Sequence, residues 1–176
     1  MNDFDVRLPS SLRADCSRCA GLCCVVHPFA AIQGFGFDKP AHSPCRHLTS
    51  GDRCSIHSEL RLRGFPGCVA FDCYGAGQRV TEEVLHGASW RASPESAAGA
   101  FAAYETLLVL HRLMAMLALA EAALAPPRQR ESIRGKRAEL DALCRTDAAR
   151  SGTLDLTAIK SEIFSLIRKN YASATA

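Results

Sequence analysis

Eight of the nine cysteines fall within the 58 residues from Cys16 to Cys73. Local density of this kind exceeds the roughly 8–10% cysteine that marks a scaffold stapled by disulfides or metal. The stretch is therefore expected to fold around sulfur chemistry and not around an apolar core alone. Which chemistry depends on compartment. Met1 to Ser11 reads MNDFDVRLPSS, with early acids, no basic start and no apolar run. A Sec signal peptide is not expected, and cytoplasmic residence is. Thiols stay reduced there, so the clustered cysteines are expected as ligands or reactive groups before disulfides.

The spacing supports metal. Cys16-x2-Cys19 places two thiolates on one tight turn, both able to reach one ion. Cys23 and Cys24 are adjacent, and neighbouring side chains usually diverge. One of them is expected to face the metal shared with Cys16 and Cys19, the other to face a second metal or stay free. Cys45, Cys54, Cys68 and Cys73 come from separate loops and would close the site or sites. Eight thiolates suffice for two four-coordinate zincs, for two iron–sulfur clusters, or for one cluster with spare thiols. Iron–sulfur is slightly preferred over zinc, because eight thiolates exceed the needs of one zinc. Cys54-x2-His57 is a ligand-like spacing and Cys45-x-His47 a tighter one, but with eight thiolates neither histidine is needed. His42 and His27 are less informative, and Cys144, far away in sequence, is expected as a buried small side chain.

The composition shifts near residue 80, which divides the chain into a cysteine-rich metal-binding region, 1–80, and a helical region, 81–176. In the first, only a short helix around Ser58 to Arg63 is expected. In the second, Ser93-Pro94-Glu95 reads as a helix start, with a serine cap, proline at the first helical position and an acid in the first turn. That helix should run to Pro126-Pro127, and its second half is apolar on nearly every face, as in a central helix covered by others. The uninterrupted apolar run between Arg112 and Glu121 is only eight residues, against the roughly 20 that a membrane span needs. A polar helix follows around Gln129 to Arg145, with Ile133, Leu140 and Leu143 facing inward. A last helix begins at the Asp155 cap. Leu154 and Ile159 are placed as a hydrophobic staple, and Ile159, Ile163, Leu166 and Ile167 make one stripe that could also serve a dimer. The tail from Ala172 to Ala176 is expected to fray. The expected fold is mainly α, a loop-rich, cysteine-ligated metal-binding region packed on a small helical bundle.

These residues resemble a known family. The order C-x2-C-x3-CC, then Pro44-Cys45, Arg53-Cys54-Ser55-Ile56-His57, Gly67-Cys68 and Asp72-Cys73 resembles the bacterial cysteine-cluster family described as zinc- or iron-chelating, the YkgJ-like or CxxCxxCC family. Asp38-Lys39-Pro40-Ala41, Phe71-Asp72-Cys73-Tyr74-Gly75-Ala76-Gly77-Gln78 and the pair Trp90-Arg91 bring it closer to the N-terminal region of actinobacterial pentapeptide-repeat proteins. The likeness covers roughly residues 13–125. The A-[DN]-L-x-x repeat is absent from the sequence, and the wider family differs in the gap between its CxxC and CC. The resemblance implies a metal site at the eight cysteines and leaves zinc against iron open. Related clusters occur in flagellin lysine methylases, which imply an iron–sulfur centre and S-adenosylmethionine. No glycine-rich adenosylmethionine loop follows a strand here.

Other features narrow the function. A formal charge of +3 and 7% aromatics make nucleic acid an unexpected partner. Arg128, Arg130, Arg134, Lys136 and Arg137 read as a solvated helix face paired with nearby acids. Gly75-Ala76-Gly77 reads as a turn by which the chain leaves the metal site. Phe35, Phe37, Phe65 and Phe71 are expected as an apolar shell around the metal, with Asp72 and Arg46 as partners of its ligands. His111 is expected as a core histidine satisfied by hydrogen bonds. The reading is a cytosolic metal-binding protein with a cysteine-ligated centre, in redox or metal sensing or handling. The alternatives are a cluster-dependent enzyme that modifies a peptide or small molecule, and a structural zinc module for protein interaction. The partners expected are the metal ion or cluster itself and a protein or peptide, with no membrane.

Overall fold

The Ser93 hydroxyl accepts the Ser96 amide at 3.1 Å and so caps the helix around which the chain is arranged. The computed structural model describes residues 8–123 and 127–174. The signal-peptide reading of the first seven residues, the proline stop at Pro126 and the last two residues of the tail lie outside them. In chain order the helices are α1 Leu22–Val26, α2 Pro66–Ala70, α3 Ala76–Glu83, α4 Pro94–Ala123, α5 Pro127–Leu143, α6 Asp147–Arg150 and α7 Leu156–Ala174. Short 3-10 turns and two isolated antiparallel bridges, Phe29 to Lys39 and Leu48 to Cys54, complete the loops. The fold is mainly α, as expected.

Helix α4 packs against α1, α3, α5, α6 and α7. Its apolarity follows from that covering: Leu107, Leu108 and Leu113 lie on different faces, and all are buried. Each such side chain contributes about 1.5–3 kcal/mol when fully buried. By length and composition α4 could cross a membrane, but 67% of its most apolar window is buried inside the protein, as in a core helix. Ile133 and Leu140 of α5 face inward, with Leu143 half-buried. In α7 the Asp155 carboxylate accepts the Thr157 amide at 2.8 Å, and Leu154 and Ile159 both pack on the core beside fully buried Ile163.

The basic run of α5 is tied more broadly than helical spacing suggests. Arg134 and Arg137 share Glu121 of α4, and Lys136 reaches Glu162 of α7 at 2.7 Å as well as Glu139. These pairs join helices and do more than decorate one solvated face.

The cysteine-rich stretch is more regular than expected. The helix sought at Ser58 to Arg63 is one 3-10 turn, His57–Glu59. Three α-helices stand where loops were expected: α1 carries Cys23 and Cys24, α2 carries Cys68, and α3 follows Cys73. Five to eight residues are too few for a 3.6-residue period to show. Leu22, Val25 and Val26 of α1 and Val80 of α3 join the core formed by α4 and its neighbours. That packing sets the thiols on the flank of α4.

Candidate metal centre

Helix α3 is the seat of the first cysteine turn. Gly75, at φ +83°, starts the helix where the sequence suggested a plain exit turn. Gln78 accepts the Asp15 amide at 2.5 Å and donates to the Arg13 carbonyl, while Thr81 accepts the Ala20 amide at 2.9 Å. These bonds clamp Asp15 to Ala20 along one helix. Gly77 leaves the gap that Cys19 fills, since a Cβ there would stand 2.7 Å from the Cys19 Sγ. The Asp15 carboxylate caps the Cys16–Arg18 turn through the Ser17 amide at 2.9 Å. Arg53 donates to the Ser17 carbonyl at 2.7 Å and to the Cys19 carbonyl.

The remaining thiols are brought in by α1 and the loops. The Cys45 amide bonds to the Cys24 carbonyl at 2.9 Å, and the Leu48 to Cys54 bridge folds the Cys54 loop back on that segment. Cys23 and Cys24 were expected to diverge, yet their sulfurs lie 4.0 Å apart. Four thiolates at about 2.3 Å around one tetrahedral zinc would be about 3.8 Å from each other. All nine cysteines are free thiols.

At four of these sulfurs the backbone two residues on favours the thiolate. The His47 amide donates to Cys45 at 3.4 Å, and the amides of Gly21, Ile56 and Gly75 act to lower the pKa of Cys19, Cys54 and Cys73. Leu22 adds a second amide at Cys19, and Gly77 adds one at Cys73. Amides aimed at sulfur favour the thiolate over the thiol. Burial works against them and pushes the Cys19 and Cys68 thiols up to about 11, and those of Cys16, Cys45 and Cys73 up as well. Contact with Cys23 raises Cys24, and contact with Cys24 raises Cys54. A cation in place of the protons reverses the balance, because it favours the charged form that the amides already solvate.

The thiols form two adjoining neighbourhoods. Cys16, Cys19 and Cys73 are in mutual electrostatic reach, and Cys23, Cys73 and Cys19 are in electrostatic reach of the Tyr104 hydroxyl. Cys24 meets Cys54 and lies in reach of Cys45, while Cys68 is in reach of Cys45 and Cys54. Among the described residues no three His, Cys, Asp or Glu side chains stand at the separation that would hold one ion. The sulfurs are gathered but not closed into a shell. The donor set, the oriented amides and the gap kept by Gly77 suit a thiolate-bound metal or cluster. A zinc ion would supply a rigid four-coordinate tie, and an iron–sulfur cluster would supply one-electron chemistry.

Several residues near the thiols were given no role by the sequence. Lys39 is buried, and its ammonium donates to the carbonyls of Val25, Pro40 and Ser43 at 3.1, 3.0 and 2.6 Å. Burial lowers its pKa, and Cys45, Cys24 and Cys23 are the groups that act to raise it, so it places a cation beside that set. The Trp90 indole donates to the Ala20 carbonyl at 3.0 Å, and Arg91 binds buried Asp52 at 2.9 Å, which ties the loops to the start of α4. Tyr104 of α4 is fully buried among the thiols with an unpartnered hydroxyl, and burial raises its pKa, so the phenol stays protonated. In the sequence it is one more apolar helix residue, and nothing marks it.

The expected aromatic shell is redrawn. Phe35 and Phe37 gather on Phe29, which the sequence reading missed, and Phe65 and His47 complete the group. Phe71 lies apart, against His27. Arg46 stacks over Phe37 at 3.8 Å, and the Asp72 carboxylate accepts the Tyr74 amide. His42 pairs with Glu105 at 3.0 Å, and His57 is exposed. Cys144 is buried. His111 is buried as expected, with Nδ1 2.7 Å from the Tyr74 carbonyl and Nε2 3.5 Å from Arg79. A groove of about 360 Å³ opens between the cysteine-rich half and α4, lined by Gln33, Phe35, Gly67, Ala70, Phe71, Asp72, Tyr74 and Arg112.

The chain is 47% identical over 103 residues to the uncharacterized protein YybG of Bacillus subtilis (strain 168). The match covers 58% of this chain and 37% of the relative, so the chain spans little more than a third of that protein's length. No family model matches the chain, and no solved structure does.

Proposed function

We propose that the chain is a cytosolic metal-binding protein with two four-thiolate sites, one from Cys16, Cys19, Cys23 and Cys73 and the other from Cys24, Cys45, Cys54 and Cys68. The observation that carries this reading is the backbone around the sulfurs: the His47 amide donates to Cys45 at 3.4 Å, and backbone amides act to lower the pKa of Cys19, Cys54 and Cys73 against their burial. Such amides stabilise negative sulfur, and a neutral buried thiol gains little from them. In this reading Cys23 and Cys24, side by side at the start of α1 with sulfurs 4.0 Å apart, give one sulfur to each site, so the two sites would adjoin. Iron–sulfur remains slightly preferred over zinc, and the role is redox or metal sensing or handling. The resemblance to the YkgJ-like cysteine-cluster family points the same way.

A second reading has its own support. The groove lined by Phe71, Asp72 and Arg112 opens between the loops and α4, and a cluster-dependent enzyme acting on a peptide or small molecule would need such an opening. A purely structural zinc module makes no use of that groove.

Metal and acid-labile sulfide analysis, with an absorption spectrum, on protein purified without air tests the reading. Iron with sulfide, and a spectrum that bleaches on oxidation, is the expected result. About two zincs per chain and no sulfide would retain the metal sites and move the role to structure and interaction. A reduced chain that retains no metal, and takes none up when offered zinc or iron with sulfide, would end the proposal.

A further inference from the structure

A buried phenol normally finds a hydrogen-bond partner, because leaving it unmet costs about 1–3 kcal/mol. Tyr104 has none for its hydroxyl, although the side chain is fully buried. The other buried polar ring on α4, His111, is met at both nitrogens. The thiols of Cys23, Cys73 and Cys19 lie within electrostatic reach of the Tyr104 hydroxyl. The ring edge passes Gly77, where a Cβ would lie 3.7 Å from it and 2.7 Å from the Cys19 sulfur. His27 packs on the ring at 5.4 Å between centroids, which limits the room for the ring to swing away. A phenylalanine would fill the same apolar volume on α4 without an unmet hydroxyl.

We propose that the Tyr104 hydroxyl donates a hydrogen bond to an anionic sulfur, thiolate or cluster sulfide, of the centre held by Cys16, Cys19, Cys23 and Cys73. The inference rests on the thiolate-site reading above and adds a residue from the opposite half of the chain. Tyr104 is then a positioning residue and not a ligand. An O–H donor on sulfur stabilises the more negative form, so it tightens metal binding and raises the energy needed to draw an electron from sulfur. The same contact couples the centre to the middle of α4.

Anaerobic Co(II) titration of the reduced full chain, wild type beside Tyr104→Phe, reads this directly through the sulfur-to-cobalt charge-transfer bands. In Y104F one of two sites should bind about 10-fold more weakly, with its band moved to lower energy, while the other site is unchanged. Identical bands and affinities in the two proteins would overturn the inference, and would mean that another partner, such as a buried water, meets the hydroxyl. Should Y104F fail to fold, 3,5-difluorotyrosine placed at position 104 keeps the ring and acidifies the phenol. The band should then move to higher energy, and a stationary band overturns the inference. Failure of the underlying reading looks different: the wild type itself takes up neither cobalt nor iron with sulfide, and both proposals fall together.

Discussion

The two halves of this molecule are held by different physics. Around α4 the contacts are aliphatic, with Leu107, Leu110, Leu117, Ile133 and Ile163 buried in one core cluster contributed by α4, α5 and α7. Between Arg13 and Tyr74 single polar side chains hold the backbone instead: Gln78, Thr81, Arg53, Lys39 and Trp90 each reach a carbonyl or amide of a loop. Apolar packing is non-directional and spread over many residues. Hydrogen bonds to a loop are directional and few, with a net worth near 1 kcal/mol each. A loop region built that way fixes where sulfurs sit but needs a further tie to be stable by itself.

Cys24→Ala should separate the halves most sharply. The Cys24 sulfur lies 4.0 Å from that of Cys23 and within electrostatic influence of Cys54, and its carbonyl holds the Cys45 amide. With metal bound, hydrogen exchange should show residues 16–75 opening in the variant by several kcal/mol, in keeping with the large share of folding energy that thiolate-bound metal supplies. Amides of α4, α5 and α7 should keep their protection. Equal loss in both halves would erase the distinction drawn between them.

Leu117→Ala is the converse. The side chain is fully buried in the helical half, so truncation should cost about 2–5 kcal/mol by denaturant titration, with one cooperative transition. Metal stoichiometry should match the wild type. A variant that loses metal at full occupancy of the folded state would show that the centre depends on the far packing of α4.

The same division decided how much could be read in advance. The starts of α4 and α7 were legible because Ser93-Pro94-Glu95 and Leu154-Asp155 are chemical signals, and the stripe from Ile159 to Ile167 repeats over enough turns to show a period. Helices α1, α2 and α3 were not, because each is held by what it packs on and is too short to declare itself. Gly75-Ala76-Gly77 read as an exit turn, since nothing in three residues says that Cys19 will need the space a side chain at Gly77 would take. The eight cysteines were plain in the sequence, whereas Tyr104 and Lys39 come into electrostatic reach of them only through the folded chain. Adjacent Cys23 and Cys24 were expected to point apart, and the turn of α1 sets their sulfurs 4.0 Å from each other.

The seam between the halves has its own sensitivity to acid. His111 of α4 bonds the Tyr74 carbonyl of the cysteine-rich half, and Arg79, Asp141 and Glu83 face it from α3 and α5. Burial holds its pKa down at about 4, below the usual 6.5, and Arg79 acts in the same direction against the pull of Asp141 and Glu83. Above pH 6.5 the ring is neutral folded or unfolded, and the contact is fully present. As pH falls from 6.5 towards 4 the unfolded chain takes up a proton that the folded chain refuses, so stability declines across that window, by an order of 2–3 kcal/mol at most. Asp141 has a depressed pKa because its bonds from Arg145 and Arg79 outweigh its burial, so its contribution is lost only at lower pH, below the ordinary carboxylate range. His111→Gln should therefore flatten the stability-against-pH curve between 6.5 and 4 while leaving the carboxylate limb in place. Acid also releases thiolate-bound metal, so the difference between variant and wild type, taken at equal metal occupancy, is the quantity to read. A difference that stays constant across the window would place the acid sensitivity in the cysteines alone, and the seam would then be no weaker than the helices it joins.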